Sequence, residues 1–265
     1  MQVHRTVVRV ARKEFITPNF LRVILKCDDA ERYKDVPIGV NNKLFIPPIG
    51  QSTVQMPTFN AQLQQWEVVD EALRPTVRTY THRAFDLDAK ELCVDFAVHE
   101  GESVACQWAL NAKIGDEVGY AMKLGNKALV PTVKDYLFVT DMTGIPAVAA
   151  IVSTLPEDAH ATIITEVLGE VDIYPEHYQS AATLTLHWHT NFYPYNGSDL
   201  FEHAKSLINT LDADHFVHVT AEFNTVKQFR DHLRNTLSYT KDEFYGCAYW
   251  QIGKKEHEAR TKRLE

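Results

Sequence analysis

The sequence predicts two successive folding units, a β unit followed by an α/β unit. Three observations carry this reading. The first half breaks into short runs of β-branched and aromatic residues separated by turn-forming clusters. The second half alternates apolar runs of strand length with segments of helical character. The change of grammar falls between residues 126 and 135, near Pro131.

In the first half, residues 6–12 and 20–26 are rich in β-branched side chains and alternate approximately, and 43–46, 76–83 and 92–98 read as further strands. Thr17-Pro18-Asn19, Pro47-Pro48-Ile49-Gly50 and Ile114-Gly115-Asp116 supply turns. Short strands so punctuated predict an antiparallel barrel or sandwich. In the second half, residues 136–140 read as an apolar strand. The loop Asp141-Met142-Thr143-Gly144 follows, then a helix from about Pro146 to Leu155, with Thr143 expected as its cap and Pro146 in its first turn. Residues 161–167, 183–188 and 215–221 read as strands, 199–210 and 225–237 as helices. That alternation predicts a mainly parallel sheet. The domains expected are 1–130, 131–253 and a basic tail at 254–265.

Composition removes several function classes. The 265 residues are 45% hydrophobic and 23% charged, the balance of a globular chain. A net charge of −8 argues against a nucleic-acid partner. Cys27, Cys93, Cys106 and Cys247 form no C-x-x-C pair, which excludes a zinc knuckle and fits a reducing compartment. The first residues lead into no apolar signal region, and no run approaches the roughly 18 apolar residues of a membrane span. A cytoplasmic monomer without membrane insertion is expected. Neither G-x-G-x-x-G nor a P-loop is present. His187-Trp188-His189 puts two imidazoles on one strand face, but no third metal ligand of plausible spacing stands out, so no metal is expected.

The most informative segment is Arg78-Thr79-Tyr80-Thr81-His82-Arg83. On one strand Arg78, Tyr80 and His82 point one way, Thr81 and Arg83 the other. A flavin needs a cation for its phosphates, a flat aromatic against its ring and a hydrogen-bonding group near N5. Taken alone, the segment also fits an exposed strand with alternating polar residues. Further stretches follow in order: Asp95-Phe96-Ala97-Val98-His99, Trp108-Ala109, Ile114-Gly115-Asp116, Thr140 to Ala147, Ala221-Glu222, and Tyr249-Trp250-Gln251-Ile252-Gly253. Together they resemble the siderophore-interacting proteins, a branch of the ferredoxin-reductase-like flavoenzymes, over roughly residues 5 to 255.

The resemblance implies an antiparallel FAD-binding β-barrel followed by a ferredoxin-reductase-like α/β nucleotide-binding domain. It implies an FAD-dependent reductase that releases iron from a ferric siderophore. Arg78 would neutralise FAD phosphate; Tyr80, Thr81 and Arg83 would stand at the reacting flavin; Asp95, Val98 and His99 would line it. Ser103, Ala105, Cys106 and Trp108 would belong to the helix start that receives the pyrophosphate; Thr143 would also bind cofactor, and Trp250 would pack near the FAD or the nicotinamide site, although late aromatics such as Trp250 also close cores. Cys106, lacking a recognisable base, reads as a small buried residue rather than a nucleophile. Lys43, at an expected barrel rim, and Lys262 and Arg263, in the tail, would meet an anionic siderophore; a strand-edge lysine and a solvated charge run are the plainer readings. The family pattern G-P-A-S stands here as Ser103-Val104-Ala105-Cys106, and glycines are replaced by Thr140 and Phe223. The donor expected is NADH over NADPH, because no arginine or lysine lies between residues 135 and 204 while Glu166, Glu170 and Asp172 border the second strand. Reduced ferredoxin is the alternative donor. Rival functions are a general flavin or ferredoxin–NAD(P) reductase and a non-enzymatic siderophore-binding protein.

Overall fold

The computed structural model describes residues 2–68, 70–99 and 103–254. The chain divides between Lys127 and Ala128 into two compact units.

The first unit contains β1 (Val3–Thr17), β2 (Phe20–Lys26), β3 (Asn41–Ile46), β4 (Thr58–Asn60), β5 (Gln65–Glu67), β6 (Thr76–Thr81), β7 (Ala84–Asp86), β8 (Glu91–Ala97), α1 (Val104–Asn111) and β9 (Glu117–Lys123). Seven strands form one antiparallel sheet in the order β6-β3-β9-β1-β2-β8-β7, and β4 pairs with β5 as a separate hairpin. Alternation sets the inner face: Val8 and Val10 of β1, Leu21, Val23 and Leu25 of β2, and Leu44 and Ile46 of β3 are all buried in one core. The two edge strands, β6 and β7, are separated in sequence only by His82 and Arg83. The chain itself therefore joins one edge of the curled sheet to the other, and the Arg83 N–H donates to the Cys93 carbonyl (3.0 Å).

The alternation expected across residues 76–83 stops at Thr81, where β6 ends. His82 lies beyond it, fully buried, with Nδ1 3.1 Å from the Tyr120 hydroxyl, which also accepts from Asn42 Nδ2 (3.1 Å). β9 escapes sequence reading because Gly119 breaks its propensity. That glycine stands opposite Phe45, and a Cβ there would lie 2.1 Å from the Met56 sulfur and 2.7 Å from Phe45 Cβ.

The second unit contains β10 (Asp135–Asp141), α2 (Ile145–Val152), β11 (His160–Val167), β12 (Thr183–Thr190), α3 (Leu200–Ala204), β13 (His215–Glu222), α4 (Phe223–Asp231) and β14 (Phe244–Trp250). The five strands are all parallel, in the order β12-β11-β10-β13-β14. β10 is central and buried along its whole length, as parallel strands covered on both faces are. Edge strand β12 alternates in exposure instead. The expected helix at 199–210 is α3 continued by a 3₁₀ segment over Lys205–Thr210, and that at 225–237 is α4 continued by a π-type turn over His232–Thr236. Sheet order reverses direction at β10, between β11 on one side and β13 on the other, which is where open α/β sheets take their ligands. Among the described residues no helix is long and apolar enough to cross a membrane.

His218 sits in the core of this unit, stacked on Tyr245 at 4.9 Å, with Nδ1 lacking a hydrogen-bond partner. Burial pulls its pKa down to about 3. The unfolded chain therefore binds a proton below about pH 6.5 that the folded chain refuses, and stability is lost as pH falls through that value. Between pH 7 and pH 5 this one residue should remove about 2 kcal/mol. His218→Phe should abolish that share of the acid sensitivity in urea titrations at the two pH values; an unchanged pH dependence would show that His218 is not its source.

Candidate functional site

In the first unit, β6 carries the candidate flavin residues on an edge of the sheet. In the β3–β6 register Arg78 stands opposite Leu44 and Tyr80 opposite Asn42, both on the inner face of β3. Lys43 stands opposite Thr79 and its ammonium bonds the Thr79 hydroxyl. Directly opposed residues share a face, so Lys43 keeps company with Thr79 and Thr81, not with Arg78 and Tyr80. Arg78 is half-buried and its Nη1 donates to the Val77 carbonyl (2.9 Å). Thr81 is 4% exposed.

Aromatic contacts link this strand to α1. Tyr80 lies 4.4 Å from Phe96 of β8, and Phe96 lies 6.1 Å from Trp108 of α1. Ser103 caps the helix, its hydroxyl accepting from the Cys106 N–H (3.4 Å). Ala105 is buried in the core, leaving the first-turn backbone amides, not that side chain, for a ligand. The Val98 N–H is taken by the Asn19 carbonyl (2.8 Å). Cys106 is buried, as expected, with Sγ 3.3 Å from the Ala97 carbonyl. Burial alone would push its thiol up; hydrogen bonding and charge from His99, helped by Ser103, outweigh burial and bring it below the usual thiol value. A cation, a flat ring and a helix start thus sit on linked elements, and this donor set fits FAD.

Asp95, expected among the cofactor residues, is held in an ion-paired network. Its carboxylate is fully buried and receives a bidentate fork from Arg22 (2.8 and 2.9 Å), with Arg83 3.6 Å away. It is the anchor that aims Arg83. The 73-residue separation of Arg22 and Asp95 kept this pair out of reach of spacing arguments.

In the second unit, the residues at the carboxyl ends of β10 and β13 are fixed by two buried carboxylates. Asp141 accepts from the Thr143 N–H (2.9 Å) and hydroxyl (2.5 Å) and from Trp250 Nε1 (2.8 Å). Thr143 is therefore a partner of Asp141 and not the expected cap of α2, whose N-cap is Gly144. Gly144 has no room for a side chain: a Cβ would lie 2.2 Å from Thr140 Oγ1 and 2.7 Å from the Thr220 carbonyl. Glu222 accepts from the Asn224 N–H (2.5 Å) and the Ile252 N–H (3.1 Å). Trp250 also meets Tyr195 edge-on at 5.4 Å. Glu170 and Asp172 open a 3₁₀ turn after β11, with Asp172 buried. Lys262 and Arg263, with the rest of the tail from residue 255, lie outside the described residues.

Asp95→Asn should lower stability by roughly 3 kcal/mol or more, since it leaves the Arg22 fork without its charge partner. Urea unfolding followed by circular dichroism measures this. Wild-type stability with reduced flavin content would instead make Asp95 a cofactor ligand.

Residues 9–122 match the model of the siderophore-interacting FAD-binding domain, and residues 133–253 that of the siderophore-interacting protein. Ferric vibriobactin reductase ViuB of Vibrio cholerae is 26% identical over 265 residues, covering 99% of this chain and 95% of that protein. The NADPH-dependent ferric-chelate reductase of Escherichia coli is 31% identical over 150 residues, 57% of this chain and 56% of that one. The crystal structure of the siderophore-interacting protein SipS from Aeromonas hydrophila superposes with a TM-score of 0.75 at 26% identity, covering 98% of this chain and 96% of that one. Two models that together span most of the chain, over a barrel-type sheet and a parallel α/β unit, settle its kinship: this chain belongs to the siderophore-interacting protein family and carries that family's FAD-binding domain.

Proposed function

We propose that this protein is an FAD-dependent ferric-siderophore reductase that releases iron as Fe(II) in the cytoplasm, acting as a monomer. The observation that carries the reading is the strand Arg78-Thr79-Tyr80-Thr81, tied through Phe96 to Trp108 of α1, in a chain similar along its length to a protein named ferric vibriobactin reductase. When bound, FAD supplies the redox chemistry, accepting electrons from a donor and passing them to Fe(III). Arg78 neutralises phosphate with a guanidinium whose charge persists at any working pH. The first-turn amides of α1 receive the pyrophosphate at the positive end of the helix dipole. Tyr80 covers the ring system and Thr81 offers a hydroxyl beside it. Arg83, held by Asp95, places positive charge where electrons accumulate. Lys43 and the basic residues of 254–265, among them Lys262 and Arg263, draw an anionic ferric chelate towards a chain of net charge −8. Fe(II) binds hard oxygen ligands far less tightly than Fe(III), and so leaves the siderophore.

Purified protein should be yellow and should reduce a ferric catecholate in the presence of a ferrous chelator that reports Fe(II) by colour. Arg78→Ala should lose flavin on dialysis, and Lys43→Ala should keep flavin but raise KM for the chelate. A colourless parent, or a parent that reduces free flavin or ferredoxin well and ferric chelates not at all, would defeat the proposal.

For the donor we propose NADH. From residue 135 to residue 204 the chain has no arginine or lysine to meet a 2′-phosphate. Instead Glu166 ends next to Asp141 in the β10–β11 register, and a dinucleotide with a free ribose hydroxyl suits such carboxylates better than one with a phosphate. Stopped-flow bleaching of the bound flavin should be faster with NADH than with NADPH at equal concentration. Faster bleaching by NADPH reverses the assignment, and bleaching by reduced ferredoxin alone moves the donor to that protein.

A further inference from the structure

His189, near the end of edge strand β12, is met by two residues that its neighbourhood in sequence does not suggest. Its Nε2 lies 2.6 Å from Asp199 Oδ1, and His203 Nε2 lies 3.3 Å from Asp199 Oδ2. The two imidazole rings are 4.1 Å apart at 33°. One ligand atom from each of the three residues lies within 4.8 Å of the others, the one such cluster among the described residues. His187, the other imidazole of the strand motif, takes no part.

The support around the cluster is built rather than incidental. Asp199 is the residue just before α3, and His203 lies four residues on within the helix, which brings the two side chains within 3.3 Å. Gly197, at φ +117°, turns the loop back towards β12, where its carbonyl accepts from Asn191 Nδ2 (2.9 Å). Ser198 donates to buried Glu166 (2.5 Å) and accepts from the Leu200 N–H (3.1 Å), which locks the residues on either side of Asp199. Such support is what fixes the direction of metal ligands. Exposed histidine–aspartate pairs contribute little to stability by themselves, and Asp199 and His203 are well exposed, with 64% and 51% of their side-chain surfaces open to solvent. An entry path therefore exists.

We propose that His189, Asp199 and His203 bind a divalent first-row transition metal such as zinc through two imidazole nitrogens and one carboxylate oxygen. Three protein ligands leave a fourth position open, facing a groove of about 570 Å³ lined in part by Asn191, Tyr193 and Ser198. A tetrahedral ion with bonds of about 2.0–2.2 Å needs ligand atoms about 3.3 Å apart. His203 Nε2 is already at that spacing from Asp199 Oδ2, and His189 Nε2 would part by about 0.7 Å from Oδ1, so coordination through a single oxygen requires the exposed carboxylate to turn as well. The donor set of nitrogen and oxygen without sulfur favours zinc, cobalt, nickel or ferrous iron over calcium or magnesium. The site belongs to the second unit's sheet edge and is independent of the flavin assignment.

The experiment is a Co(II) titration of the untagged, full-length, chelator-treated protein, followed by its visible absorption and by displacement with Zn(II). The parent should bind one equivalent, with ligand-field bands that Zn(II) abolishes. His203→Ala and Asp199→Ala should each weaken binding roughly 100-fold or more, and His187→Ala should leave it unchanged. Circular dichroism of each variant confirms folding, and exposed His203 is the substitution least able to disturb it. Absence of a saturable equivalent in the parent, or equal affinity in folded His203→Ala, overturns the site.

Discussion

The first unit depends on one buried charge. Asp95 has no exposed side-chain surface, and taking a carboxylate out of water costs several kcal/mol unless partners replace the lost hydration. Arg22, across the β2–β8 pairing, supplies a bidentate fork, and Arg83, at the joint between β6 and β7, adds a second positive charge. Asp95 and its two partners come from three regions of the chain. The carboxylate thus sets the position of the two-residue link through which one edge of the sheet becomes the other. Since Arg78, Tyr80 and Thr81 lie on the strand that runs into this link, their placement depends on this ion pair. The neutral network behind it, Asn42 to Tyr120 to His82, fills the interior beneath the same link with hydrogen bonds.

The second unit repeats the device without cations. Asp141, Glu166 and Glu222 end three neighbouring strands and are all buried. Asp141 is satisfied by N–H and hydroxyl donors, yet burial still holds its carboxyl above the usual range. Burial carries Glu166 up to about 7, with the nearby charge of Asp141 adding to it and the Ser198 hydroxyl opposing. Each carboxylate pins a loop: Asp141 the turn into α2 and the indole of Trp250, Glu222 the start of α4 and the chain after β14. The proposal of NADH as donor rests on these carboxylates, at or next to the ends of three adjacent strands.

Much of this was legible in the sequence, for reasons that differ by element. β10, β11 and β13 are apolar runs because both faces are covered, and such runs are read without knowing their partners. The strand that carries the candidate flavin residues was legible as β6 because those residues are consecutive. β9 was not, since Gly119 answers to the side chains of Met56 and Phe45, which no window around residue 119 contains. Thr143 looked like a helix cap, but the Asp141 carboxylate is a stronger acceptor for its hydroxyl than any competing arrangement. His189 lacked an evident third ligand because Asp199 and His203 return to it only after the chain has turned through Gly197.

The replacement of serine by Cys106 in the family's phosphate turn shows how the remaining residues share the load. The Cys106 sulfur lies 3.3 Å from the Ala97 carbonyl and is bonded by His99, so its polar contacts are made within the protein. A thiol is also a weaker donor than a hydroxyl. Since the Cys106 N–H is itself taken by the Ser103 hydroxyl, the proposed anion site at α1 rests on the other first-turn amides and on the guanidinium proposed for the phosphate, Arg78. On that proposal, a cysteine in place of a serine makes the Arg78 charge more necessary.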